Sequence, residues 1–148
     1  MSFNPHSVIT SILRPLGYKR QGNYWTKQCN NYLVYLVLYG SSYGGGDKYI
    51  NVRAFFEEIA EPGENFKNTY DASTRLQETG PLGGSLNYHH EYKNLTDEER
   101  EVRLRNGLPL LQSYETVDGL KELWLYGIGT LMSPKLRELI GLPYEHPG

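Results

Sequence analysis

Three stretches hold residue types capable of chemistry. Gly44-Gly45-Gly46-Asp47-Lys48 has the glycines and lysine of a phosphate-binding loop, but such loops need Gly-Lys-Ser/Thr opening a helix, whereas Asp47 intervenes here and a strand pattern follows. It reads as a hairpin loop. Gly127-Ile128-Gly129 follows a helical pattern and lacks the third glycine of a dinucleotide fingerprint. His89-His90-Glu91 are adjacent metal-ligand types, yet neighbours on a strand point to opposite faces, and Cys29 and His6 lie far away in sequence. No Ser or Cys sits in a recognisable nucleophile motif. The expectation is therefore no catalytic residues, no metal and no cofactor.

The thirteen tyrosines are the excess to explain. Tyr, Trp and Arg anchor protein interfaces because they bury large areas at small entropic cost. The expected contact residues are Tyr35, Tyr39, Tyr49, Arg53 and Phe55 on one face of a sheet, with Tyr43 in the neighbouring loop and Glu57 and Glu58 at the end of the strand. Two other readings stay open: helices on both sheet faces would make these aromatics core, and aromatics beside Arg can stack single-stranded bases.

The elements that position them follow from pattern. Asn4-Pro5 is a helix start, and Val8, Ile9, Ile12, Leu13 and Leu16 form one apolar stripe. Pro15 and Gly17 stop that helix near Leu16. Residues 23–29 and 32–39 read as a hairpin turned by Asn30-Asn31, since Asn tolerates positive φ. This register sets Trp25 opposite Leu36, Thr26 opposite Tyr35 and Lys27 opposite Val34. A third strand, residues 48–57, alternates Ile50, Val52, Ala54 and Phe56 against Tyr49, Asn51, Arg53 and Phe55. Residues 61–94 are polar and turn-rich around Gly80-Pro81-Leu82-Gly83-Gly84, with a weakly signalled strand at 85–89. Thr96-Asp97-Glu98-Glu99 is a capping box, followed by Glu99/Arg103 and Glu101/Arg105 at i,i+4 spacing. Leu104, Leu108 and Leu111 turn inward; Val117, Leu120, Leu123 and Trp124 outline another helix, and Ser133-Pro134 opens the last. The fold class is α+β: an antiparallel meander of three to five strands with helices mainly on one face, in a single domain over 1–148 with a loose tail from Pro143.

Composition narrows the function. With 39% hydrophobic and 22% charged residues among 148, the chain folds around a core. Net charge −2 supplies no global field for nucleic acid or anionic membrane. The lone Cys29 closes no internal disulfide, no apolar run approaches the ~20 residues of a membrane helix, and the N-terminus lacks a secretory apolar region. A cytoplasmic protein is expected.

Several segments together resemble a known family. Leu13 to Arg20, then Gly22, Asn23 and Trp25, resemble its helix end and Gly-Asn-x-Trp; Tyr49 to Val52 resemble its Tyr-Ile-Asn-Val strand; Thr74-Arg75-Leu76-Gln77 resemble an Arg-Leu helix end; Leu108 to Leu123 resemble the Leu-Pro-x-Leu segment before a final helix. The family is the small, mostly bacterial domain-of-unknown-function 4304 family. Between Pro62 and Asn94 the likeness is loose. The family's size and bacterial setting resemble those of immunity proteins of antibacterial toxins. The resemblance therefore implies a monomer or weak homodimer that blocks a cognate toxin domain stoichiometrically, with Glu57 and Glu58 meeting basic toxin residues. The alternative is a small hydrolase or nucleotide-handling enzyme using Gly40 to Asp47 with His89 or His90; a single-stranded nucleic-acid binder ranks third.

Overall fold

A computed structural model describes residues 5–40, 48–76, 87–88, 96–126 and 130–142. Helix α1 (Pro5–Leu13) buries Ile9, Ile12 and Leu13, then tightens into a 3-10 turn at Arg14–Leu16. Pro15 has no N–H for another helical turn, and Gly17, at φ 95°, closes the end by donating to Arg14 O. The chain then enters the sheet through a short strand, β1 (Lys19–Gln21).

Strands β2 (Tyr24–Cys29), β3 (Tyr32–Gly40) and β4 (Lys48–Phe55) form the antiparallel meander expected from the alternation. Asn30 takes φ 53° in the two-residue turn, and Trp25 pairs with Leu36, Thr26 with Tyr35 and Lys27 with Val34. The sheet continues through β5 (Ala72–Arg75) to β7 (Leu131–Met132), while β6 (Asn87–Tyr88) pairs with the start of β4. The order is β1-β2-β3-β4-β5-β7. This is more strands than three to five, and every addition is a short piece at the sheet's margin. One corrects the reading of Thr74-Arg75-Leu76-Gln77 as a helix end: Thr74 and Arg75 lie in β5, opposite Val52 and Asn51.

Helices cover one face. Trp25, Val34, Leu36, Leu38, Ile50, Val52, Ala54 and Phe56 meet α1, α2 (Asp97–Asn106), α3 (Leu108–Ser113), α4 (Val117–Tyr126) and α5 (Pro134–Ile140) in the main core. Thr96 and Glu99 close the capping box, Arg105 pairs with Glu101 at 2.8 Å, and Ser133 caps α5 by accepting from Leu136 N. Trp25 donates to Thr10 Oγ1 at 3.0 Å, Tyr32 stacks on Phe56 with centroids 4.2 Å apart, and the Tyr32 hydroxyl donates to Tyr114 O. No helix among the described residues is long and apolar enough to cross a membrane.

Asp71 ties the margin together. Its Oδ2 accepts from Phe56 N at 2.7 Å, and its backbone joins Ala54 O and Ser133 N. Burial raises its carboxyl above the usual range, against the opposing pull of the Phe56 amide. A raised folded-state value means that stability falls as pH rises from the unfolded pKa through the folded one. Asp71→Asn keeps an acceptor and removes the buried charge, so urea unfolding at neutral pH is expected to show stability retained or improved. Asp71→Ala orphans the Phe56 N–H and is expected to cost about 1–3 kcal/mol.

Candidate protein-binding site

The register assigns the other face row by row. Thr26, Tyr35, Arg53, Ser73 and Leu131 lie abreast on successive strands, with Tyr24, Val37, Asn51 and Arg75 in one neighbouring row and Gln28, Leu33 and Phe55 in the other. This is the face expected to carry the contact aromatics.

Part of it is closed. After β4 the chain makes a 3-10 turn at Glu57–Ile59 and returns across the sheet. Phe66 lays its ring edge-on against Tyr24 at 5.5 Å and Tyr35 at 5.4 Å. Tyr35 is 0% exposed and Phe55 8%, and with Val37 they form a second, smaller core. The expectation that Tyr35 and Phe55 stand open to a partner is therefore corrected. Their cover is a polar loop, neither solvent nor a helix. The loop is held by its own side chains: Asn65 Oδ1 accepts from Lys67 N, Asn68 Oδ1 accepts from Asn65 N, and Asn68 Nδ2 donates to Gly63 O.

The remainder is open. Arg53 is half-buried, its guanidinium 4.4 Å from the ring centroid of Tyr70, and its Nε reaches Ser73 Oγ at 3.4 Å. Tyr70 is 42% exposed and Leu131 67%. Arg75 and Lys67 are exposed, and the Lys67 ammonium lies 5.9 Å from the Tyr24 ring centroid. Cations resting on aromatic faces gain roughly 0.5–1 kcal/mol at exposed sites. Beneath them the Tyr35 hydroxyl and Asn51 Oδ1 are buried without a hydrogen bond of good geometry. Burial pushes the Tyr35 phenol well above its ordinary value despite the nearby Arg53.

Glu57 and Glu58 are exposed at the far end. There a cavity of about 250 Å³ is lined by Gln28, Asn31, Phe55, Glu57, Glu64 and Phe66. Tyr39 and Tyr49 pair in register, but their side chains lie outside the described set. Tyr43, most of the Gly40–Asp47 loop, His89, His90, Glu91 and Gly127–Gly129 also lie outside the described residues.

The helix side holds a polar cluster that periodicity alone passes over. Lys27 faces the core in the strand alternation, and there its Nζ meets Glu115 Oε2 at 2.8 Å, while the Tyr18 hydroxyl donates to the same oxygen at 3.0 Å. Cys29 lies nearby, buried, its thiol pushed up by burial and then by Glu115. A raised thiol holds less of the reactive thiolate. The cluster is thus a staple between hairpin and helices. Among the described residues no group of three His, Cys, Asp or Glu is placed to hold a metal.

Tyr70, Leu131, Ser73 and Lys67 were not among the residues expected from sequence. Their signal is tertiary: Tyr70 reaches Arg53 only because the loop folds back. The model of one family, described as a domain of unknown function (DUF4304), matches residues 9–116. No curated protein and no solved structure matches the chain.

Proposed function

We propose that this chain, which belongs to the DUF4304 family, is the cytoplasmic immunity partner of an antibacterial toxin, docking on the toxin's catalytic domain and denying it substrate. The observation that carries this reading is the Arg53–Tyr70 stack in the row that ends in exposed Leu131: an arginine on the sheet and a large aromatic from the adjoining loop presented together. Such residues dominate binding energy when they reach the centre of an interface. Protection requires an affinity near nanomolar, about −12 kcal/mol, which an interface of about 1,600 Å² supplies when it contains a few such anchors. The contact set is accordingly Arg53, Tyr70, Leu131 and Arg75, with Lys67 and with Glu57 and Glu58 at its margins. Tyr39, Tyr43 and Tyr49 stay in the proposal on their sequence positions, whereas Tyr35 and Phe55 act beneath it as support.

Co-expression with the C-terminal domain of a toxin encoded beside this gene tests the reading. Wild-type protein should co-purify with that domain and restore growth, and Arg53→Glu should lose both. Growth arrest unrelieved by the wild type would refute the immunity role.

A further inference from the structure

We infer that the cavity at the Glu57 end of the sheet takes the cationic end of one lysine or arginine side chain from the protein partner, an inference that rests on the immunity reading and names the chemistry of one of its contacts. The cavity, of about 250 Å³, is lined both by the sheet and by the loop that folds back over it. Gln28, Leu33 and Phe55 stand abreast on β2, β3 and β4, and the loop brings Glu64 and Phe66. Sites for cofactors and drug-sized ligands run to roughly 300–1,000 Å³, so this space suits a single side chain.

The lining sets the sign. Glu57 and Glu64 both reach the cavity, and no Lys or Arg is among the described residues that line it. Neutral donors hold Glu64 in position: its Oε1 accepts from Glu61 N at 2.7 Å and its Oε2 from Thr69 Oγ1 at 3.3 Å, and neither offsets its charge. Gln28 donates from Nε2 to Asn30 O at 3.1 Å and to Tyr32 O at 3.2 Å, which leaves Oε1 as the atom it offers. Asn31 and Asn65 add neutral amides. Lys67 rests its ammonium 5.8 Å from the Phe66 ring centroid and is not among the lining residues. Leu33, Phe55 and Phe66 supply the apolar part. The aliphatic stem of Lys or Arg packs on such a wall while its charged head reaches the carboxylates, and a ring face attracts the same cation. A phosphate carries the wrong charge for this lining.

Two measurements test the inference. The first uses the full-length protein alone, with amide-resolved NMR at constant ionic strength. Added n-butylammonium or n-butylguanidinium should shift the Glu57, Glu64 and Phe66 amides saturably, in the millimolar range set by so few atoms, and n-butanol and butyrate should not. Absence of saturable shifts at these amides overturns the inference. The second measures affinity for the neighbouring toxin's C-terminal domain by titration calorimetry, each variant's fold being checked by thermal unfolding. Glu57→Gln should weaken binding about tenfold, and Leu33→Trp, which fills the cavity and leaves its charges alone, should weaken it at least as much. Should Leu33→Trp unfold, Gln28→Trp fills the same space from an exposed position. A filled cavity that binds the toxin domain like the wild type overturns the inference, as does undiminished affinity in Glu57→Gln; both leave the immunity reading standing. Cation-induced shifts in a protein that does not bind the toxin domain overturn the immunity reading and the partner named here, while the cavity's preference for organic cations stands.

Discussion

Replacing Gly119 with alanine is expected to lower the melting temperature by roughly 10 °C, from a loss of about 3 kcal/mol at ~2–4 °C per kcal/mol for a chain of this size. On an exposed helix the same change would be stabilising by up to ~1 kcal/mol, since glycine is a poor helix former. Here a Cβ would stand 2.1 Å from Ser113 O, 2.9 Å from its carbonyl carbon and 3.0 Å from its Cα. These are backbone atoms of Ser113, the last residue of α3, and no side-chain rotation relieves them. Relief would require moving α4 away from α3, yet Thr116 Oγ1 accepts from Gly119 N at 3.0 Å and Leu120 is fully buried below. Thermal denaturation followed by circular dichroism decides the matter. A higher melting temperature for Gly119→Ala would show that the two helices do not approach this closely.

Alkaline pH should unfold the protein abruptly. Tyr18, Tyr32, Tyr35 and Tyr114 are each almost fully buried, and burial is the largest cause raising all four phenols above their ordinary value. Around Tyr18 the Glu115 carboxylate adds to the rise, because it accepts the phenol's proton in a hydrogen bond and repels a phenolate. The folded state therefore keeps four protons that the unfolded chain releases above about pH 10. The resulting stability is fully present below that pH and declines as pH rises beyond it, by roughly 1 kcal/mol per pH unit for each tyrosine. Four together lose on the order of 5 kcal/mol per unit, and a total stability of about 5–15 kcal/mol is exhausted within one to three units. Phenolate absorbance should therefore rise in the same transition in which the fold is lost. Four tyrosines ionising near pH 10 with the fold intact would contradict the burial described here.

The contrast between the two sheet faces shows what a sequence can and cannot convey. The helix-facing side was legible because it obeys local rules: Asn30-Asn31 sets a two-residue turn, the period of two assigns Trp25 and Leu36 to one face, and Thr96, Glu99 and Ser133 mark helix starts. Short elements that borrow their stability from neighbours were not. Ala72-Ser73-Thr74-Arg75 has little hydrophobic signal of its own and becomes a strand because β4 offers an unpaired edge beside Asn51–Ala54. Phe66 is the one large apolar residue between Glu61 and Thr69, and its role as the cover over Tyr24 and Tyr35 depends on a fold-back that no periodicity encodes. Of the residues that the strand pattern places on this face, Arg53 is half-buried and its guanidinium lies over Tyr70, a neighbour seventeen positions away. Tyr35 and Phe55 have exchanged exposure for support.

Hydroxyl-radical footprinting of the protein, alone and in complex with the toxin domain, tests most directly the proposal that binding uses the sheet's open face. Four large hydrophobic residues among those described are exposed: Tyr70 and Leu131 on that face, Val102 on α2 and Leu139 on α5. All four should oxidise in the free protein. In the complex Tyr70 and Leu131 should be protected while Val102 and Leu139 remain reactive; the opposite pattern would place the partner on the helices and contradict the account.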